Sequence, residues 1–240
     1  MRLDALLVSR GLCESRERAQ RALMAGLVFA NGQRVEKPGT RVTVDIPLEV
    51  RGGERYVSRG GLKLEAALDA FQVDPAGQTC LDVGASTGGF TDCLLQRGAA
   101  RVHAFDVGHS QLHWRIRSDE RVRVREKINC RNLTPADVGE PVTLVVADVS
   151  FISLTLIIPP VFELIAPEGV MLALIKPQFE LSRDLVARGG IVTDPAVRMT
   201  AVEKIERFVR RDLDLQWDGV IESPITGTQG NVEFLACIRP

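Results

Sequence analysis

Leu81-Asp82-Val83-Gly84-Ala85-Ser86-Thr87-Gly88-Gly89-Phe90 is the stretch on which the fold turns. An apolar run, Cys80–Gly84, meets a cluster of glycines and then an amphipathic run, Phe90–Gln96, which reads as strand, tight turn and helix. Glycines let the backbone reverse sharply and approach a ligand closely. The spacing is Asp-x-Gly-x-x-x-Gly, with an acid two residues before the first glycine, and it departs from the G-x-G-x-x-G dinucleotide fingerprint. Outward from this turn the alternation continues through Val102–Val107, Thr143–Ala147, Leu156–Leu164 and Val170–Ile175. Met199–Arg211 reads as a helix, with Gly219–Glu222 and Val232–Ile238 as closing strands. Such alternation predicts an α/β fold with a parallel, doubly wound sheet. Ligands of these sheets bind beyond the carboxyl ends of the strands, so Asp106, 24 residues after Asp82, is placed to hold ribose hydroxyls.

The chain has 240 residues, 45% hydrophobic and 25% charged, which fits one or two ordinary globular domains and excludes disordered and collagen-like classes. Its net charge of −1 conceals a split: residues 1–63 carry +5 and residues 64–240 carry −6. A basic module joined to an acidic body follows. Between Asp4 and Ser9 the apolar stretch is too short for a signal-peptide core. Phe151–Ala166 is apolar over only 16 residues and holds Pro159, Pro160 and Glu163, so it reads as a buried strand-to-helix segment, not a membrane span. Five cysteines, odd in number and without C-x-x-C, imply neither a disulfide framework nor a zinc site. A cytoplasmic protein with no metal and no membrane partner is expected.

Before the body, Leu3, Leu6 and Leu7, then Ala19, Ala22 and Leu23, recur at helical spacing, with Ser15 as an N-cap and Gly26 as a stop. Asn31-Gly32, between Leu27–Ala30 and Gln33–Val35, is the strongest short hairpin signal. Arg2, Arg10, Arg16, Arg18 and Arg21 lie off the apolar stripe, where forked donors engage phosphates. On charge alone, a solvated basic helix face fits equally well.

Four polar residues stand where apolar runs end. Lys176 follows Val170–Ile175, Asp148 follows Thr143–Ala147, Glu233 begins the last predicted strand, and Lys63 sits in Ser58-Arg59-Gly60-Gly61-Leu62-Lys63-Leu64. A charge at the edge of a buried strand is costly unless paired or functional. Taken singly, each also fits a structural ion pair.

Residues 1–60, through R-L-D-A-L-L-V-S-R-G-L and A-G-L-V-x-x-N-G, resemble the RNA-binding domain named after ribosomal protein S-four. The glycine turn resembles the first motif of S-adenosylmethionine-dependent methyltransferases, and that resemblance implies cofactor contacts from Asp82, Gly84, Ala85, Ser86, Thr87, Gly88, Phe90 and Asp106. S-R-G-G-x-K-L, A-D-V-S-F, I-K-P-Q-F-E and G-N-V-E-F resemble the Lys-Asp-Lys-Glu tetrad of FtsJ-like RNA 2′-O-methyltransferases. End to end, the chain is similar to the TlyA family, which joins the two modules. The resemblance implies a Rossmann-like class I methyltransferase domain at 61–240, a small α+β RNA-binding domain at 1–60, and a junction near 51–62. It also implies a catalytic set of Lys63, Asp148, Lys176 and Glu233, S-adenosylmethionine as cofactor, and ribosomal RNA or a ribosomal subunit as partner. The expected target is a cytidine ribose. The near-immediate first helix and early end match the family's shorter form, which acts on the large subunit. Its rivals are a non-catalytic assembly factor and, from the family's older label, a membrane-active haemolysin.

Overall fold

A computed structural model describes residues 1–52, 55–227 and 229–240. The chain divides into two compact units, Met1–Arg55 and Tyr56–Pro240. In the first, helices α1 (Leu3–Ser9) and α2 (Arg16–Met24) precede strands β1 (Val28–Ala30), β2 (Gln33–Arg34) and β3 (Leu48–Val50). Ser15 caps α2, its Oγ accepting from Arg18 N at 3.2 Å. Asn31 and Gly32, both at positive φ, turn β1 into β2. β3, which the hairpin signal did not foretell, pairs antiparallel on the other side of β1. Leu3, Leu7, Ala19, Leu23 and Val28 fill the core between helices and sheet.

Asp4, a buried acid on α1, organises this unit. Arg2 grips it with Nε at 3.0 Å and Nη2 at 2.9 Å, Arg16 Nη2 lies at 3.2 Å, and Gln20 Nε2 donates at 3.0 Å. Among the other arginines read as phosphate forks, Arg18 pairs with Glu14 at 3.1 Å and Arg21 with Glu17 at 3.8 Å. Arg10 donates to the carbonyls of Val44 and Ile46. Each has found an acid or carbonyl within its own unit, because helical spacing sets Glu14 and Glu17 one turn before Arg18 and Arg21. The side chains of the four ion-paired arginines remain about half exposed.

The second unit runs α3 (Gly60–Ala70), β4 (Thr79–Val83), α4 (Gly89–Gln96), β5 (Arg101–Asp106), α5 (Trp114–Arg117) and β6 (Val122–Glu126). It continues with α6 (Pro135–Val138), β7 (Val142–Ala147), α7 (Ile158–Phe162), β8 (Ile165–Ile175) and α8 (Pro177–Glu180), then α9 (Pro195–Arg207), β9 (Gln216–Glu222) and β10 (Phe234–Arg239). The seven strands are ordered β6-β5-β4-β7-β8-β10-β9. The first five are parallel, whereas β10 is antiparallel to both β8 and β9. The sheet is therefore mixed: the parallel, doubly wound core read from the sequence is completed by an antiparallel strand. Among the described residues no helix lies between β9 and β10, and a short connection can only return a strand antiparallel. Alternation along the strands packs Cys80, Leu144, Val146, Leu172 and Leu174 into one core with α3 and α4. Leu81, Val83, Val145, Met171 and Ala173 enter the other, with α7 and α9.

Several boundaries differ from the sequence reading. β6 was not anticipated, because Val122-Arg-Val-Arg-Glu is a sheet-edge strand whose alternate arginines mask its apolar period. Phe151–Ala166 is a 3₁₀ turn and short helix that leads into β8, and Phe151 itself is 90% exposed. α9 begins at Pro195 because Asp194 Oδ1 accepts from Ala196 N at 2.8 Å. Glu233 precedes the first residue of β10.

Removing the hub in Asp4→Ala is expected to cost about 1–3 kcal/mol, since Arg2, Arg16 and Gln20 lose a shared acceptor. Urea titration measures the loss, and hydrogen exchange should locate it in Met1–Arg55. Pairing with Arg2 holds this carboxyl well below the usual carboxylate range, so its contribution persists above pH 4 and fades only in stronger acid.

Candidate active site

Strand register brings the chemistry together. Val83 lies opposite Ala147, Ala147 opposite Ala173, and Ile175 opposite Phe234. The residues that leave the sheet at this edge are therefore Gly84, Asp148, Lys176 and Glu233. Gly84, at φ +88°, permits the closest approach: a Cβ there would sit 2.5 Å from the carbonyl oxygen of Asp148. Gly89 serves packing instead, since a Cβ on it would lie 3.0 Å from Gly61 N, where the first turns of α4 and α3 meet. That contact fixes α3, which carries Lys63.

Two lysine–acid pairs occupy the edge. Lys176 Nζ lies 2.6 Å from Asp148 Oδ1, off the line of a hydrogen bond, and donates to Ser150 Oγ at 2.8 Å. Lys63 Nζ donates to Glu233 Oε2 at 2.5 Å, and both of these side chains are buried. A buried charge persists only with a partner, and here each lysine takes its acid from another element of the sheet or its flanks. The structure thus assembles all four tetrad residues at one edge.

Beside them opens a cleft of about 430 Å³ lined by Gly84, Ser86, Asp106, Gln111, Asn129 and Asp148, among others. Asp106 is held by two backbone donors, Ser86 N to Oδ2 at 2.7 Å and Gly108 N to Oδ1 at 2.6 Å. Each oxygen keeps a lone pair for a ligand hydroxyl. The remaining predicted cofactor residues do not line this cleft. Ala85, Gly88 and Phe90 are buried, Phe90 in the core, and Thr87 is exposed, its carbonyl accepting from His113 N at 3.1 Å. Asp82 is completely buried, with Thr91 Oγ1 donating to its Oδ2 at 2.6 Å. It supports the turn from beneath. The sequence reading missed Gln111, Asn129 and Arg131 in the lining. Recognising Val122–Glu126 as a strand would have flagged the residues that follow it.

Burial pushes the Asp82 carboxyl up to about 7, opposed by the Thr91 hydroxyl and reinforced by the charges of Asp148 and Asp106. Of the three acids that converge on this end of the sheet, Asp106 and Asp148 line the cleft, and their field favours a cation over an anion.

A sheet of this order, with a glycine turn and an acid after its second strand, defines the methyltransferase class of α/β proteins. A family model of FtsJ-like methyltransferases matches residues 56–240, and one of the S4 domain matches residues 1–45. The chain belongs to the FtsJ-like methyltransferase family. It is 46% identical over 242 residues to the 16S/23S rRNA (cytidine-2′-O)-methyltransferase TlyA of Mycobacterium tuberculosis, covering 99% of this chain and 89% of that one. It is 34% identical over 184 residues to the 23S rRNA (cytidine-2′-O)-methyltransferase TlyA of Campylobacter jejuni, covering 75% and 70% respectively. Among solved structures, a protein described as a hemolysin from Streptococcus thermophilus aligns with a TM-score of 0.74 at 44% identity, covering 99% of this chain and 87% of that one. Among the described residues no helix is long and apolar enough to cross a membrane.

The raised Asp82 carboxyl makes folding prefer its protonated form. That contribution is full below about pH 4 and disappears as pH rises through about 7. Asp82→Asn keeps an acceptor for Thr91 but no charge. Its stability relative to the parent is expected to climb by up to ~1.4 kcal/mol per pH unit across that interval and then level off, as denaturant titrations at several pH values would read.

Proposed function

We propose that this chain transfers a methyl group from S-adenosylmethionine to the ribose 2′-hydroxyl of a cytidine in ribosomal RNA, working in the cytoplasm. The observation that carries this reading is the Lys176–Asp148 pair beside the acid-lined cleft, with Lys63–Glu233 at the same sheet edge. Large-subunit RNA is the target that the names of the two curated relatives share.

When bound, S-adenosylmethionine supplies a methyl group on positively charged sulfur, already activated for displacement. Asp106 holds the ribose hydroxyls of its adenosyl part, and Gly84 leaves room for close backbone approach. Asp148, at the rim of the cleft, supplies negative charge toward the cationic end.

An ammonium has three donors. Lys176 directs one to Ser150 and faces one to Asp148, which leaves the third for the oxygen of the target hydroxyl. Lys176 first passes a proton to Asp148, 2.6 Å away, and the lone pair of the neutral amine so formed takes the hydroxyl proton as the oxygen attacks. No net charge need be created in the buried pocket. Lys63 and Glu233, fixed to each other, bracket the ribose and orient it.

The first unit would grip structured RNA by shape and phosphate contacts. Its arginines already sit in ion pairs, so their phosphate contacts form by exchange of partners, while each phosphate neutralised releases counterions condensed on the RNA.

Lys176→Ala is expected to lower methyl transfer at least a thousandfold with cofactor affinity within about threefold of the parent, since proton transfer and oxygen positioning fail together. Transfer of labelled methyl to ribosomal RNA and calorimetric titration measure the two, and retained transfer would overturn the assignment. Mass-spectrometric mapping of ribosomal RNA with and without the protein identifies the nucleotide. For the arm, Arg18→Gln with Arg21→Gln leaves Asp4 untouched. It should weaken RNA binding by roughly tenfold and flatten its salt dependence by one to two contacts' worth, whereas unchanged slopes would make this face a solvated one.

A further inference from the structure

Lys176 is directed by a loop, and the loop is directed by Glu180. Asp148 and Ser150, the two polar side chains that engage the Lys176 ammonium among the described residues, stand on the segment between β7 and Leu154. That segment holds Phe151 at φ +62°, a conformation costly for a bulky residue and maintained only where the surroundings over-determine it. Phe151 is almost fully exposed, and its one ring contact among the described residues is with Phe179, at 4.9 Å between centroids. Its own burial therefore cannot hold the loop.

A buried acid can. Glu180 ends α8, four residues after Lys176, and its side chain is 1% exposed. Both carboxylate oxygens are committed to the loop: Ser153 Oγ donates to Oε2 at 2.5 Å and Leu154 N to Oε1 at 2.7 Å. From the other side, Lys204 of α9 donates to the Glu180 carbonyl at 2.6 Å and approaches Oε2 at 3.3 Å. A buried carboxylate is expensive, and its site here would accept an apolar side chain if only packing mattered.

We propose that Glu180 is a positioning residue for methyl transfer: by clamping Ser153 and Leu154 it holds the loop that delivers Ser150 and Asp148 to Lys176. The proposal rests on the methyl-transfer reading above. Glu180 touches no reacting atom and acts through the direction of one ammonium group.

The test compares Glu180→Ala, Glu180→Gln, Ser150→Ala and the Glu180→Ala/Ser150→Ala double variant, with cofactor binding by calorimetry and Lys176 followed by NMR of its labelled ammonium across pH. Glu180→Ala and Ser150→Ala should each lower kcat about tenfold or more at saturating cofactor, with cofactor Kd within about twofold, because a misdirected group loses rate without losing binding. The double variant should lose no more than the worse single one, since both break the same linkage. Glu180→Gln should recover most of the rate, because its amide oxygen still accepts from Leu154 N. The Lys176 titration should move in both alanine variants and in the same direction. Multiplicative losses in the double variant, or an unmoved Lys176 titration in Glu180→Ala, would overturn the proposal. If Glu180→Ala does not fold, Lys204→Met, which removes the outer anchor, must still shift the Lys176 titration, and no shift there overturns it equally. If the parent chain itself transfers no methyl group, the functional reading fails and the Lys176 titration alone decides the clamp.

Discussion

Everything at the working edge depends on how closely two parallel strands can end side by side. β4 and β7 release their chains at Gly84 and Asp148, and only a residue without a Cβ fits beneath the Asp148 carbonyl. Because Gly84 yields that space, the turn that follows swings out to form the cleft wall, and Asp148 starts its loop within reach of Lys176. A side chain at Gly84 would separate the cleft from the lysine pair. The cofactor turn and the catalytic edge are thus one steric arrangement.

Charge is distributed over that arrangement so that no group is buried alone. Lys63 has Glu233, Lys176 has Asp148 and Ser150, and Glu180 has Ser153, Leu154 and Lys204. Each link joins a different pair of elements, so the ion pairs also act as cross-braces between α3 and the start of β10, between β7 and β8, and between α8 and α9. The exception is Asp82, whose one hydrogen-bonding side-chain partner among the described residues is the Thr91 hydroxyl. It bears the cost of burial as a raised pKa, and in return stiffens the turn from below.

Patterns local in sequence were legible. Two helices, a hairpin at Asn31-Gly32, the strand-turn-helix around Gly84 and the strands ending before Asp148 and Lys176 all follow from periods and turn residues within a few positions. Less legible were elements whose character depends on distant neighbours. β6 hides its alternation under arginines because it lies at a sheet edge, and β10 runs antiparallel because only a short connection separates it from β9. The basic arm was legible in composition but not in chemistry. Counting charges gives +5 for residues 1–63, yet the arginines are largely committed to Asp4, Glu14, Glu17 and backbone carbonyls.

By itself the sequence determined the kinds of residue available and their order: a glycine turn preceded by an acid, and a Lys, an Asp, a Lys and a Glu at the ends of apolar runs. It also determined the family, because those motifs recur in fixed order along the chain. Tertiary structure alone decided which of these residues meet. Lys63 and Glu233 are 170 positions apart and become one pair because α3 packs beside β10, while Asp82 is buried beneath the glycine turn and does not line the cleft. Spacing along a chain fixes the face of an element on which a residue stands, but contact across elements follows from sheet register and packing, which no single stretch of sequence specifies.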